Sequence, residues 1–243
     1  MAGQTLPVII TRAEPGTRET AARLLESGLT PIPAPALYIE TNTSEEVPHH
    51  SDVSGLVFTS ANGVRCYVNR TNYFETPAWC VGPATAKAAR DSGFKTVHES
   101  SGNAVDLANY IANHAVPTDK PLLHVANDAA KGDLKRELEK FGFAVEFCPL
   151  YHMRQSESLP AAAIEALESD LPALVLIHSA KGAEAFAALA KNCATNQIIA
   201  VSISKQAANP LTSLDLKAVI VATAPNEDGL FGAINDAIAI LSA

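Results

Sequence analysis

The chain has 243 residues, one large or two small domains at the usual size of roughly 100–200 residues each, and enough to bury a core without disulfide or metal staples. Hydrophobic residues make up 47% and charged residues 18%, a globular and not a disordered balance. The net charge of −8 argues against broad nucleic-acid or anionic-membrane binding, since both need a basic face, but it leaves room for a local basic pocket.

Short apolar runs alternate with helix-period segments along the whole chain. Predicted strands are Pro7–Ile10, Thr30–Pro33, Gly55–Phe58, Ala78–Val81, Lys95–His98, Leu122–Val125, Ala144–Phe147, Leu174–Ile177, Ile198–Val201 and Ala218–Val221. Most are continuously apolar, as central parallel strands covered on both faces must be. Helical faces form between them: Thr20 with Leu24, Leu134 with Leu138 and Phe141, and a C-terminal stripe of Leu230, Ile234, Ile238 and Leu241. Strand and helix in alternation define an α/β, doubly wound class. No apolar run is long enough to cross a membrane. The opening Met1-Ala2-Gly3-Gln4-Thr5 lacks the basic start and apolar core of a signal peptide, which points to a mature cytoplasmic chain. Cys66, Cys80, Cys148 and Cys193 are widely spaced and read as reduced thiols in or near the core, and the histidines, His49-His50 included, show no metal-ligand spacing.

An internal repeat underlies this pattern. Leu6–Ile10 aligns with Lys120–His124, Leu24 with Leu138, Gly28 with Gly142 and Tyr38 with Tyr151. Val57–Gly63 aligns with Leu176–Gly182, Cys80-Val81-Gly82 with Ala200-Val201-Ser202, and Leu107 and Ile111 with Leu230 and Ile234. The unit is about 115–120 residues, a divergent duplication of one α/β element. Two sequential domains are one way to fold it. Extended segments at Leu37–Ile39 and Leu150–His152 favour another, in which the chain crosses twice. Residues 1–36 and 152–243 then form a discontinuous first domain and residues 37–151 an inserted second one, with linker strands near 35–40 and 149–154 and a cleft between the domains.

Six turns at predicted strand C-terminal ends carry small or hydroxylated residues: Thr11-Arg12, Thr59-Ser60-Ala61-Asn62-Gly63, Gly82-Pro83-Ala84-Thr85, Ser179-Ala180-Lys181-Gly182, Ser202-Ile203-Ser204-Lys205 and Thr223-Ala224-Pro225-Asn226. Doubly wound sheets bind ligands at these ends. A Ser or Thr caps the following helix, and the free N–H groups of its first turn attract carboxylate or phosphate. Arg12, Arg65, Lys87, Lys131, Lys181 and Lys205 add local positive charge. No dinucleotide or P-loop glycine fingerprint, no zinc-protease motif and no nucleophile elbow occurs, so Ser60 and Ser179 lack a nucleophile's context.

The order of these turns resembles the uroporphyrinogen-III synthase family over the whole chain. The resemblance runs through Ile10-Thr11-Arg12, Phe58-Thr59-Ser60-Ala61-Asn62-Gly63, Val81-Gly82-Pro83-Ala84-Thr85-Ala86, Tyr151, Ser179–Gly182 and Ile203–Ala208. Three positions depart from the family pattern: Ala13 replaces its Pro, Ala126-Asn127 its Arg-Gly, and His178 the Thr of the second Phe-Thr-Ser. The resemblance implies two α/β domains joined by a two-stranded crossover linker. It implies a cyclising hydro-lyase that takes hydroxymethylbilane, a linear tetrapyrrole with eight carboxylates, to uroporphyrinogen III with loss of water and inversion of ring D. It further implies neither cofactor nor metal, a monomer, and transient hand-over of substrate from the preceding deaminase.

On that reading the substrate-binding candidates are Thr11, Arg12, Thr59, Ser60, Asn62, Gly63, Gly82, Thr85, Ser179, Ala180, Lys181, Gly182, Ser204, Lys205 and Pro225. Tyr151 is the candidate catalytic donor to the leaving hydroxyl, its other reading being a linker tyrosine packed beside the hinge. The rival readings are a non-catalytic hinged two-lobe binding protein for a small anion, and a nucleotide-dependent enzyme, which the missing glycine fingerprints disfavour.

Overall fold

The computed structural model describes residues 5–130 and 132–242. From the N-terminus it runs β1 (Pro7–Ile10), α1 (Gly16–Glu26), β2 (Thr30–Pro33), β3 (Leu37–Thr41), β4 (Gly55–Phe58), α2 (Ala61–Val68), β5 (Ala78–Cys80), α3 (Pro83–Asp91), β6 (Val97–Glu99) and α4 (Ala104–His114). It continues through β7 (Leu122–Asn127), α5 (Asp133–Glu139), β8 (Val145–Gln155), α6 (Ala161–Glu168), β9 (Ala173–Ile177), α7 (Ala180–Ala190), β10 (Ile198–Ser202), α8 (Lys205–Ala208), β11 (Ala218–Val221) and α9 (Glu227–Ser242). This is the α/β architecture that the sequence predicts. Among the described residues, no helix is long and apolar enough to cross a membrane.

The chain divides into two compact units. One comprises Met1–Ile39 with Arg154–Ala243, the other Glu40–Met153. The first holds a five-stranded parallel sheet in the order β2-β1-β9-β10-β11. Alternate residues of its inner strands feed opposite faces, as a pleat requires. Ile9, Val175 and Ile177 pack with Ala163, Leu167 and Phe186 of α6 and α7, whereas Val8, Ile10, Leu174 and Leu176 pack with Leu24 of α1 and Leu230 and Ile234 of α9. Both faces are therefore covered, which is why Leu174–Ile177 and Ile198–Val201 contain no polar residue.

The second unit holds the order β8-β7-β4-β5-β6, with its pairs also parallel, and β3 added beyond β8. Val57, Trp79 and Leu122 pack with Leu107 and Ile111 of α4 and Leu134 and Leu138 of α5. On the other face Phe58, Tyr67 and Phe94 meet ring to ring. β3 is antiparallel to β8: Asn42 N–H donates to Leu150 O at 2.8 Å, and Ser156 N–H to Ala36 O at 3.0 Å.

If β2, β1, β9, β10 and β11 are matched with β8, β7, β4, β5 and β6, the two sheets have the same order. The landmarks of the repeat also share their local conformation. Gly28 and Gly142 both take positive φ, +73° and +85°, where a Cβ would be strained. Each ends a helix in the same way, with Leu29 N–H donating to Leu24 O and Phe143 N–H to Leu138 O.

Differences from the predicted elements lie at edges and ends. The two extended segments predicted around 144–147 and 150–152 form one strand, β8, because its residues pair with β7 on one side and β3 on the other. β6 begins two residues later than the apolar pattern suggests, since an edge strand is half-exposed and its pattern is weak. Phe141, predicted on the buried face of α5, lies beyond the helix and is 44% exposed. The turn at Gly142 sends Phe143 into the core instead. Thr30 and Ala34 direct their N–H groups at β1, so Pro31 and Pro33 fall on the outward register of the terminal strand β2. Lacking N–H groups, they give an added strand nothing to pair with.

Candidate functional site

In each unit the strand order reverses at one place, between β1 and β9 in the first and between β7 and β4 in the second. The helices that follow leave on opposite faces there, opening a crevice at the C-terminal strand ends. The loops at these two places carry Thr11, Arg12, His178 and Ser179 in one unit, and Thr59 and Ser60 in the other, where Asn127 ends β7.

In the second unit Ser60 is the N-cap of α2. Its backbone is extended, and its Oγ accepts from Gly63 N–H at 3.2 Å. The Tyr151 hydroxyl lies 2.8 Å from the same Oγ. A register shift places Tyr151 there. β7 pairs Ala126 with Pro149 but Asn127 with Tyr151, so Leu150 is skipped and Tyr151 faces the way Asn127 does. Tyr151 is 3% exposed. Burial pushes its phenol pKa up, against opposing hydrogen bonds from Ser60 and Asn127, so it stays protonated and able to donate at neutral pH. Thr59 Oγ1 is 3.3 Å from His124 Nε2. His124 is buried, and its pKa is lowered by burial to about 4, leaving it neutral. Asn62 accepts from Arg65 Nη1 at 3.0 Å. Gly82 is the N-cap of α3 after the neighbouring strand β5, and Thr85 is buried in the first turn of that helix.

In the first unit Ser179 repeats the geometry of Ser60. It is the N-cap of α7, and its Oγ accepts from Gly182 N–H at 3.1 Å. Ala180 opens the helix, Gly182 is buried, and Lys181 is exposed. Ser204 caps α8 by accepting from Ala207 N–H at 3.1 Å, with Lys205 exposed beside it, but α8 has only 4 residues. Pro225 is exposed in the turn before α9, where Asn226 Oδ1 accepts from Gly229 N–H at 2.8 Å.

Thr11 departs from the capping expected of it. Its buried hydroxyl donates to Leu176 O at 2.7 Å, tying β1 to β9, and the N-cap of α1 is Pro15. Lys87 pairs with Asp91 on α3, and Lys131 lies outside the described residues.

Electrostatics separate the helix ends. α2, α3, α7 and α8 carry no acidic residue in the first turn, so the positive ends of their dipoles are unneutralised. α6, at no candidate turn, shares this. α1, α4, α5 and α9 supply their own acids, Glu19, Asp106, Asp133 and Glu227 with Asp228. Replacing Ser179 by Ala removes one cap and is expected to cost about 1 kcal/mol. Ser60→Ala removes a cap and one hydrogen-bond partner of Tyr151, so its melting temperature should fall further than that of Ser179→Ala. Thermal melts of the two variants compare them.

Glu227 is the charged residue that sequence reasoning missed. It stands beside Arg12 in the fold, and no spacing could reveal a partner so far along the chain. His124 was more legible, being a polar residue at the register that Ile10 occupies in the first repeat. A cavity of about 850 Å³ lies against β2 and α6 at the N-terminal ends of β1 and β9, away from the turns. Its one titratable lining group is Glu165, a poor match for an anion.

A family model described as Uroporphyrinogen-III synthase HemD matches residues 18–232. Comparison with curated protein sequences found no match. Among solved structures, the chain is similar to uroporphyrinogen-III synthetase from Helicobacter pylori 26695, with 16% identity, TM-score 0.62, and coverage of 96% of this chain and 99% of that one. It is also matched with a mutant uroporphyrinogen III synthase from the extremely thermophilic bacterium Thermus thermophilus, with 15% identity, TM-score 0.49, and coverage of 98% and 99%. The first likeness supports the fold, and the family model covers most of the sequence. The chain belongs to the uroporphyrinogen-III synthase family.

Proposed function

We propose that this chain is a uroporphyrinogen-III synthase, a cyclising lyase of tetrapyrrole and haem biosynthesis. The match of the family model over residues 18–232 carries the reading. The reaction takes hydroxymethylbilane to uroporphyrinogen III and water. Loss of the terminal hydroxyl leaves an azafulvene-like cation, and attack by the substituted carbon of ring D gives a spiro intermediate. Fragmentation and re-closure then invert that ring. Unaided, the linear tetrapyrrole closes to the type I isomer, so the protein's task is to hold geometry and stabilise developing charge.

The local chemistry supports this assignment. Helix ends without their own acids at α2, α3 and α7 suit carboxylates, and they do so without a basic surface. Thr59, Ser60, Asn62, Gly63, Gly82 and Thr85 in one unit, and Thr11, Arg12, Ser179, Ala180, Lys181, Gly182, Ser204, Lys205 and Pro225 in the other, are the substrate-binding residues of this reading. Tyr151 donates a proton or a hydrogen bond to the leaving hydroxyl. The enzyme works as a cytoplasmic monomer that receives its labile substrate from the preceding deaminase.

The test generates hydroxymethylbilane in situ with that deaminase, adds this protein, oxidises the product and separates the isomers. Type III product is expected. Type I product alone would overturn the assignment and favour a binding protein.

A further inference from the structure

The first turn of α9 puts a carboxylate against Arg12, one of the substrate-binding residues of the proposed reading. Arg12 Nη1 donates to Glu227 Oε1 at 2.5 Å and, more weakly, to Thr20 Oγ1 at 3.4 Å. Gly16 makes room for this arrangement, because a Cβ there would run into the Arg12 guanidinium. His178 Nε2 lies 3.3 Å from the same Glu227 oxygen, at ion-pair distance when the imidazole is protonated. His178 is the residue that stands where the family pattern has Thr. Behind Glu227, Arg23 pairs with Asp228 at 2.9 Å and covers the Phe231 ring.

Three features set this apart from an ordinary surface ion pair. It sits at the strand-order reversal of its sheet, between the C-terminal ends of β1 and β9. It is partly buried, the Arg12 and Glu227 side chains being 29% and 33% exposed. Glu227 Oε2 and His178 Nδ1 are buried without a hydrogen-bond partner among the described residues. Buried polar atoms normally find partners, so this cluster holds hydrogen-bonding capacity that the folded chain does not use. Burial alone would raise the Glu227 pKa. The His178 imidazole and the Arg12 and Arg23 charges outweigh it and hold the group below the ordinary carboxylate value, so Glu227 is ionised.

We propose that Glu227 is an internal stand-in for a substrate carboxylate: it holds Arg12 and faces His178 in the unliganded protein, and a side-chain carboxylate of the tetrapyrrole displaces it. The inference rests on the synthase reading for the identity of the incoming carboxylate. Glu227 is thus an affinity-setting residue for one subsite, and it keeps Arg12 extended and oriented before substrate arrives. A partly exposed pair of this kind is worth about 1 kcal/mol at most, so the competition weakens binding by up to about fivefold.

The probe is uroporphyrin III, the oxidised, stable octacarboxylate, titrated by fluorescence against wild type and Glu227→Gln. The expected result is a Kd about fivefold lower in the variant, with KM for hydroxymethylbilane falling in parallel and little of the change in kcat. In an Arg12→Ala background, Glu227→Gln is expected to leave Kd where it is, since nothing remains to compete for. Glu227→Ala guards against the Gln amide oxygen keeping the Arg12 bond. Kd unchanged or raised in both Glu227 variants, with melting curves showing folded protein, would overturn the inference, as would an equal gain without Arg12. Failure of wild type to yield type III isomer would overturn the synthase reading alone, because the titration needs no turnover.

Discussion

Tyr151→Phe is expected to lower kcat about a hundredfold, the scale of a lost general-acid donor. The substitution keeps the ring and its packing and deletes only the hydroxyl that meets Ser60 at 2.8 Å. One neutral hydrogen bond contributes roughly 0.5–1.5 kcal/mol to stability, and for a chain of this size that is a melting-temperature loss of only a few degrees. A hundredfold in rate is about 2.7 kcal/mol of transition-state stabilisation, more than the structural bond can account for. The coupled isomer assay gives the rate and a thermal melt gives the stability. Unchanged turnover with the small melting shift would make Tyr151 a packing residue. A change confined to KM would make it a positioning one.

The second large effect is on folding. Gly63 and Gly182 occupy matching places in the two repeats, each donating its N–H to a capping serine. Their surroundings differ. A Cβ on Gly63 would come within 2.7 Å of the Val125 backbone oxygen on β7, so α2 or the strand has to move. A Cβ on Gly182 meets only the Ser179 Oγ, at 3.1 Å, an atom on a rotatable side chain. Gly63→Ala should therefore cost about 2 kcal/mol of overpacking, and the melting temperature should fall by roughly 4–8 °C. Gly182→Ala should lie near zero, because a small shift of Ser179 is offset by up to about 1 kcal/mol of helix propensity. Differential scanning calorimetry of both variants tests the contrast. Equal losses would show that α2 and α7 pack alike and that the contact to Val125 does not decide the matter.

That contrast shows what the sequence could and could not reveal. Gly63 and Gly182 align perfectly as letters, and both were legible as turn glycines after Ser60 and Ser179. The distance from helix to neighbouring strand is a tertiary quantity with no local signature. The inner strands were legible for a plain reason: Leu174–Ile177 and Ile198–Val201 are buried on both faces, and only apolar residues serve there. The bounds of β6 and the exposure of Phe141 were not, because an edge strand or a residue past a helix end is not confined to one buried face. Serine caps at Ser60, Ser179 and Ser204 followed from local backbone chemistry. The hydroxyl of Thr11 instead reaches β9, and Glu227 reaches Arg12, through contacts between distant segments that only the assembled sheet creates.

The chain connectivity has a consequence for synthesis on the ribosome. Glu40–Met153 is contiguous, so its unit can complete its sheet while the rest of the chain is still being made. The first unit cannot. β1 lies between β2 and β9, and β9 begins only at Ala173. At roughly 5–20 residues per second of translation, Val8, Ile9 and Ile10 emerge some ten to thirty seconds before the strand that buries their other side. During that interval α1 and β2 are their only shelter, and the segment is open to a holding chaperone. The earliest strand of this sheet is thus among the last to be covered.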